Sequence, residues 1–165
     1  MTILQVMKKP WAFWPVAVTV LLTDCATKDR AVAHLTPHVP HGVLGDILCF
    51  TLVFNPGAAM GTTLGPYSRW GFTALALLVV GIIGLLYRDT HPDDGWRVVA
   101  LALLTGGALG NAVDRVRSAA GVVDFIDIGV GSTRFWTFNI ADMAVCVGAA
   151  LLAAAMLRRS PTNHE

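Results

Sequence analysis

Asp124 and Asp142 are carboxylates placed at the edges of strongly apolar runs, 18 residues apart in the chain. A lone carboxylate in lipid is costly, so such a residue faces a protein interior and often marks function. Two that meet cannot comfortably both ionise. They share a proton and titrate as a unit. The ionised member can take a proton from water as general base. The protonated member can polarise a peptide carbonyl and then protonate the departing nitrogen. This chemistry needs neither a metal nor a serine. The sequence has no G-x-S-x-G and no H-E-x-x-H that would supply a different nucleophile or a zinc site. The spacing permits the two aspartates to meet but does not require it.

More polar residues gather near the same ends of the apolar runs: Asp24, Asn111, Asp114 and Asn139. Asn139 and Asp142 are spaced i, i+3, as are Asn111 and Asp114, so each pair shares a helix face. If the last span begins near Phe135, the helical rise puts Asp142 roughly 10 Å inside it. Asp114 has Arg115 and Arg117 close by as ion-pair partners, whereas Asp142 has no basic residue within a turn on its own segment. The competing reading makes these residues buried structural amides and ion pairs, with the aspartates satisfied by Arg115 or Arg134. A third reading makes Asp124 and Asp142 the proton or cation site of a small transporter, although no inverted repeat is visible.

The elements that must position these groups follow from composition. The chain of 165 residues is 55% hydrophobic and only 14% charged, against about 25% charged in soluble domains. That deficit points to an integral membrane protein. The net charge is +1 and the charges are scattered, which excludes a nucleic-acid partner. Four apolar segments read as transmembrane helices, at about 11–28, 70–87, 96–113 and 135–157. The first is apolar only up to Thr23. It is read as a retained span and not a cleaved leader, because the acidic Asp24 stands directly before Cys25. Segments 29–69 and 114–134 lie between spans on one side. Within them, Asp46–Phe54 and Val122–Phe125 are rich in β-formers, and Asn55-Pro56-Gly57 reads as a turn. The fold expected is therefore an all-α membrane protein of four transmembrane helices and one domain, with a small β-rich platform at the membrane surface. The glycines Gly106, Gly107 and Gly110, and also Gly81 and Gly84, are expected to let neighbouring helices approach closely.

Twelve lysines and arginines divide evenly between the two sides. The tandem pairs Lys8-Lys9 and Arg158-Arg159 favour cytoplasmic termini. His34, His38 and His41 sit in a Pro-bearing stretch and read as exposed loop histidines. Cys25, Cys49 and Cys146 show no C-x-x-C and read as unpaired packing residues. No metal or other cofactor is expected.

Four blocks in order give the chain a resemblance to the signal peptidase II (lipoprotein signal peptidase) family. They are Asp24-Cys25-Ala26-Thr27-Lys28, Phe54-Asn55-Pro56-Gly57-Ala58-Ala59-Met60, the run from Gly106 to Arg115 with Val122-Val123-Asp124-Phe125, and Phe138-Asn139-Ile140-Ala141-Asp142. The resemblance implies a membrane-embedded aspartic endopeptidase that removes signal peptides from prolipoproteins, cutting immediately before a diacylglyceryl-modified cysteine. It implies Asp124 and Asp142 as the catalytic pair. Asn55, Asn111, Arg115 and Asn139 then line the site, and Asp24, Lys28 and Asp114 hold it. Gly57, Met60 and Trp136 are supporting positions. It also implies an extracytoplasmic β-cradle, a location in the bacterial cytoplasmic membrane, lateral entry of substrate from lipid and action as a monomer. Cys25 stands where the family has glutamine, Pro56 where Thr is common and Met60 where Phe is usual, which leaves substrate detail open but not reaction class.

Overall fold

The computed structural model describes residues 9–57, 64–131 and 133–157. Four helices carry most of the chain: α1, Lys9–His34; α2, Ser68–Asp89, preceded by a 3-10 turn at Gly65–Tyr67; α3, Gly95–Arg117; and α4, Ile140–Leu157. A four-stranded antiparallel sheet, ordered β1-β2-β3-β4, is made of β1, His41–Leu44; β2, Leu48–Asn55; β3, Val122–Val130; and β4, Thr133–Arg134.

Among the described residues, three helical segments are long and apolar enough to cross a membrane: Gly65–Asp89, Gly95–Arg117 and Ile140–Leu157. The fourth expected span corresponds to α1. It has the length, at 26 residues, but contains Pro15 and buries Asp24 and Lys28. Those polar residues are one turn apart, on a face turned to the protein interior. The helix ends at His34, ahead of Pro37, which cannot continue it. The last helix begins at Ile140, later than the apolar run that starts near Phe135. Residues 135–138 are instead tied to the sheet: Phe135 N donates to Ile128 O, and Phe138 forms a bridge with Ile126. Asp142 is consequently in the first turn of α4 and not deep within it.

Helix α3 is the centre of the bundle, and its glycines explain why. A Cβ on Gly106 would come within 2.7 Å of Ala17 O on α1, and one on Gly107 within 2.5 Å of Ala141 O on α4. A Cβ on Gly110 would overlap the Asp24 carboxylate. The bare backbone of α3 thus admits α1 on one side and α4 on the other. Gly81 and Gly84 do not act this way, since a Cβ at either would meet nothing within 4 Å. Helix α2 packs through its other face, with Ile83 in a core shared with Phe13, Val98 and Leu101.

Long basic side chains close the helix ends. Lys9 Nζ donates to Arg88 O (3.0 Å) and Thr90 O (2.8 Å) at the end of α2. Arg69 donates to Arg115 O and Val116 O at the end of α3. These carbonyls have no partner within their own helix, and the cations also suit the negative end of the helix dipole.

The sheet is longer than the β-rich stretches of sequence suggest. It includes His41 in β1, so that histidine lies in a strand and not a loop. A bulge between Phe50 and Val53 sets Val53 opposite Asp124. A second core of Ala31, Leu52, Val123 and Phe125 fastens the sheet to α1.

The glycine contacts yield a paired prediction. Gly110→Ala should destabilise the protein by about 1–3 kcal/mol through overpacking. Gly81→Ala should be neutral or slightly stabilising. Thermal unfolding in one detergent compares them, and equal effects would contradict the packing described.

Candidate active site

Asp124 and Asp142 reach the site from different elements and are held by shared partners. Asn139 is the residue before α4. Its Oδ1 accepts from Asp142 N (3.0 Å), and its own N donates to Asp142 Oδ2 (3.2 Å). This is a reciprocal cap, satisfying two N–H groups that the helix leaves unpaired. It fixes the Asp142 side chain at a helix N-terminus, where the dipole favours an anion. Asn139 Nδ2 donates to Asp124 Oδ1 at 2.7 Å. One asparagine therefore bonds both carboxylates.

Each aspartate has one further donor: Asn55 Nδ2 reaches Asp124 Oδ2 (3.2 Å), and Asn111 Nδ2 reaches Asp142 Oδ1 (2.8 Å). Asp124 is buried on β3, while Asp142 is half-buried. Burial, and then the nearby charge of Asp142, push the Asp124 carboxyl up to about 7, against the opposing pull of its bonds from Asn55 and Asn139. Among the described residues neither aspartate forms an ion pair. Arg134 binds Asp127 (2.8 Å), and Arg115 donates to Asn111 O (3.1 Å) and Gly57 O (2.9 Å).

The cation at the base of the site is Lys28, 2% exposed. Its Nζ lies 2.7 Å from Asp24 Oδ2 and 2.9 Å from Asp114 Oδ2, and donates to Asn111 Oδ1 at 2.8 Å. Two carboxylates and one amide oxygen thus surround the ammonium group. Asp114 is thus paired with Lys28 across helices and not with Arg115 or Arg117 as its neighbours in sequence suggest. Sequence proximity misleads because the partner comes from another helix, across the packed interface. Asp24 Oδ1 accepts from Ala141 N (2.9 Å) in the first turn of α4, and Asp114 Oδ2 accepts from Val123 N (3.0 Å) beside Asp124. The lysine also orients Asn111. Its positive charge holds the amide oxygen, which turns the amide NH2 toward Asp142.

Asn55 closes the other side. Its Oδ1 accepts from Gly57 N (3.0 Å), forming the expected turn, and Gly57 O receives Arg115. Gly121, which sequence reasoning passed over, is needed here. Its φ is +97°, and a Cβ would overlap Asn55 O. The signal available was its place between the end of α3 and a β-rich run.

Trp136 stands apart from this cluster, exposed and edge-on to Phe135 at 5.5 Å. Met60 lies outside the described residues. His34 Nδ1 pairs with Arg30 O and His41 Nδ1 with Val39 O. Cys25, Cys49 and Cys146 are free thiols.

Long apolar helices packed around a buried polar network, with two carboxylates that share one asparagine donor, are the features of a membrane protein. The profile of the signal peptidase (SPase) II family matches residues 16–158. The chain belongs to that family, and it is accordingly an aspartic protease of the membrane. It is 42% identical over 148 residues to the lipoprotein signal peptidase of Polynucleobacter necessarius, covering 88% of each chain. It is 41% identical over 153 residues to that of Hydrogenovibrio crunogenus, covering 90% of this chain and 86% of the other. A bacterial membrane enzyme solved in meso at 2.3 Å superposes with a TM-score of 0.80 at 30% identity, over 91% of this chain and 90% of that one.

Lys28→Met leaves Asp24 and Asp114 buried without their cation. Loss of about 3–5 kcal/mol of stability is expected, with part of it recovered when Asp24→Asn is added. Unfolding in detergent reads both, and a Lys28→Met protein as stable as the parent would contradict the network.

Proposed function

We propose that Asp124 and Asp142 are the catalytic pair of an endopeptidase that removes signal peptides from prolipoproteins, cutting immediately before a diacylglyceryl-modified cysteine. The observation that carries this reading is the joint hold of Asn139 on two carboxylates, neither of which forms an ion pair among the described residues. Near neutrality the buried Asp124 holds the shared proton and donates it toward the scissile carbonyl and then the leaving nitrogen. Asp142, half-buried, takes a proton from the attacking water. Asn55, Asn111 and Asn139 orient the pair, and Arg115 steadies the turn at Gly57. Substrate choice is supported by the family, whose relatives named above are lipoprotein signal peptidases.

A cysteine carrying two acyl chains keeps its scissile bond near the membrane surface. A site in the first turn of α4 is at that level. In this reading all four helices span the bacterial cytoplasmic membrane as one domain. Both termini are cytoplasmic, the sheet and the acid pair are extracytoplasmic, and the enzyme works as a monomer on substrate entering from lipid. Helix α1 completes the fourth span by turning Asp24 and Lys28 inward.

Incubating the protein in lipid with a diacylglyceryl-modified precursor tests the assignment. Asp124→Asn and Asp142→Asn should each lower cleavage by about 10²-fold or more, and the unmodified precursor should not be cut. Undiminished cleavage in both variants would overturn it. The pH dependence has a definite sign. The proton on Asp124 is lost as pH rises through about 7, so kcat/KM should fall on the alkaline side with a midpoint near that value. A rate still rising well above pH 7 would contradict the role given to Asp124.

A further inference from the structure

Asn55, Asn111 and Asn139 all aim side-chain N–H groups at the acid pair. An asparagine amide has an acceptor on one side and donors on the other, so the end that meets a carboxylate depends on what holds the opposite end. Asn55 Oδ1 accepts from Gly57 N (3.0 Å), and Asn139 Oδ1 accepts from Asp142 N (3.0 Å). Both of those locks are backbone groups. Asn111 is held differently. Its Oδ1 accepts from Lys28 Nζ (2.8 Å) and from Asn139 Nδ2 (3.1 Å), while its Nδ2 donates to Asp142 Oδ1 (2.8 Å). The Asn139 amide is a weak lock, because its NH2 is divided among Asp124 Oδ1 (2.7 Å), Asn111 Oδ1 (3.1 Å) and Val123 O (3.3 Å). The lysine decides the orientation.

Turned over, Asn111 would set its NH2 against an ammonium group and its oxygen against a carboxylate. Lys28 is 2% exposed, and in such surroundings each hydrogen bond of a chain polarises the next. Asp24 and Asp114 offset the lysine's charge at longer range. Its influence on Asp142 therefore passes through the amide. The other charged groups near Asp142 are Asp124 on β3 and Arg115 on α3, which lies within electrostatic reach of both aspartates. Arg69, at the start of α2, is occupied by Arg115 O and Val116 O. A hydrogen bond donated to the charged form of an acid favours that form.

Resting on the reading of Asp124 and Asp142 as the catalytic pair, we infer that Lys28 is a positioning residue for the reaction: through Asn111 it keeps an N–H donor on Asp142 and so assigns Asp142 the ionised, water-activating role while Asp124 keeps the shared proton. This role is separate from the lysine's part in stability. Loss of stability alone lowers activity at every pH, whereas loss of the donor changes where on the pH axis the base form of Asp142 appears.

The test compares the parent in lipid with three variants of the full chain. Lys28→Met combined with Asp24→Asn removes the cation. Asn111→Leu removes the amide and leaves Lys28 with both its carboxylates, so it decides the matter if the first variant fails to fold. Asp24→Asn alone disturbs the same ion pairs and leaves the lysine on Asn111. In the first two, the acid limb of kcat/KM on a diacylglyceryl-modified precursor should move up by about one pH unit, the size expected for a lost bond to a charged group. The loss at neutral pH should fall on kcat more than on KM. In Asp24→Asn alone the limb should not rise. A limb that stays in place in the first two, or rises equally in Asp24→Asn alone, overturns the inference. The Asp142 carboxyl 13C resonance, followed with pH in the absence of precursor, should move in the same pattern. A matching resonance pattern in a protein that cleaves nothing would sink the activity and keep the relay. Cleavage with an unmoved resonance would do the reverse.

Discussion

A single buried ammonium group organises this protein. Lys28 Nζ, almost wholly removed from solvent, is held by Asp24, Asp114 and Asn111. A cation in a low-dielectric interior is tolerable only when paired and fully hydrogen-bonded. That requirement brings α1 and α3 into contact at one level. The two aspartates then extend the network: Asp24 to the first turn of α4 and Asp114 to the start of β3. The bare glycine surface of α3 makes the approach possible, since a methyl group at Gly110 would collide with Asp24. The polar network and the small-residue packing are therefore one device. Neither carboxylate of the acid pair touches Lys28, but both depend on elements that Lys28 and its partners hold.

The site separates the carboxylates paired with Lys28 from the pair proposed to react. Asp24 and Asp114 neutralise the lysine and serve backbone N–H groups. Among the described residues, Asp124 and Asp142 receive hydrogen bonds from amide and backbone donors. Amide donors orient a carboxylate without fixing its charge as firmly as a cation would. Burial and mutual repulsion can then keep a proton on the pair near neutral pH, which acid–base chemistry on a peptide requires. Arg115 and Arg134 donate to backbone carbonyls and to Asp127 and form no ion pair with the two, although the Arg115 guanidinium lies within electrostatic reach of both.

Much of this was legible in the sequence because polar residues in apolar runs are rare and must be explained. Asp24, Lys28, Asn111, Asp114, Asn139 and Asp142 stand out for that reason, and the helical offsets place them on common faces. What the sequence hid was non-local. The partner of Asp114 lies on another helix, while Arg115 and Arg117 are nearer in the chain. The start of α4 is set by the cap at Asn139 and by the bonds of Phe135 and Phe138 to β3, which an apolar run through 135–157 cannot reveal. Strand β1 exists because β2 pairs with it, and its Pro- and His-rich surroundings give no such signal. Gly81 and Gly84 look like Gly106 and Gly110 in composition but face away from the bundle. Small residues permit close packing without locating it.

The claim on which the account turns is that Asp124 and Asp142 sense one another's charge. Carboxyl 13C resonances of aspartate-labelled protein in nanodiscs, assigned by substitution and followed with pH, measure this directly. Asp124 should titrate with a midpoint near 7, and Asp142→Asn, which removes the neighbouring charge, should move that midpoint down. A midpoint in the ordinary carboxylate range, or one that Asp142→Asn leaves in place, would contradict the account.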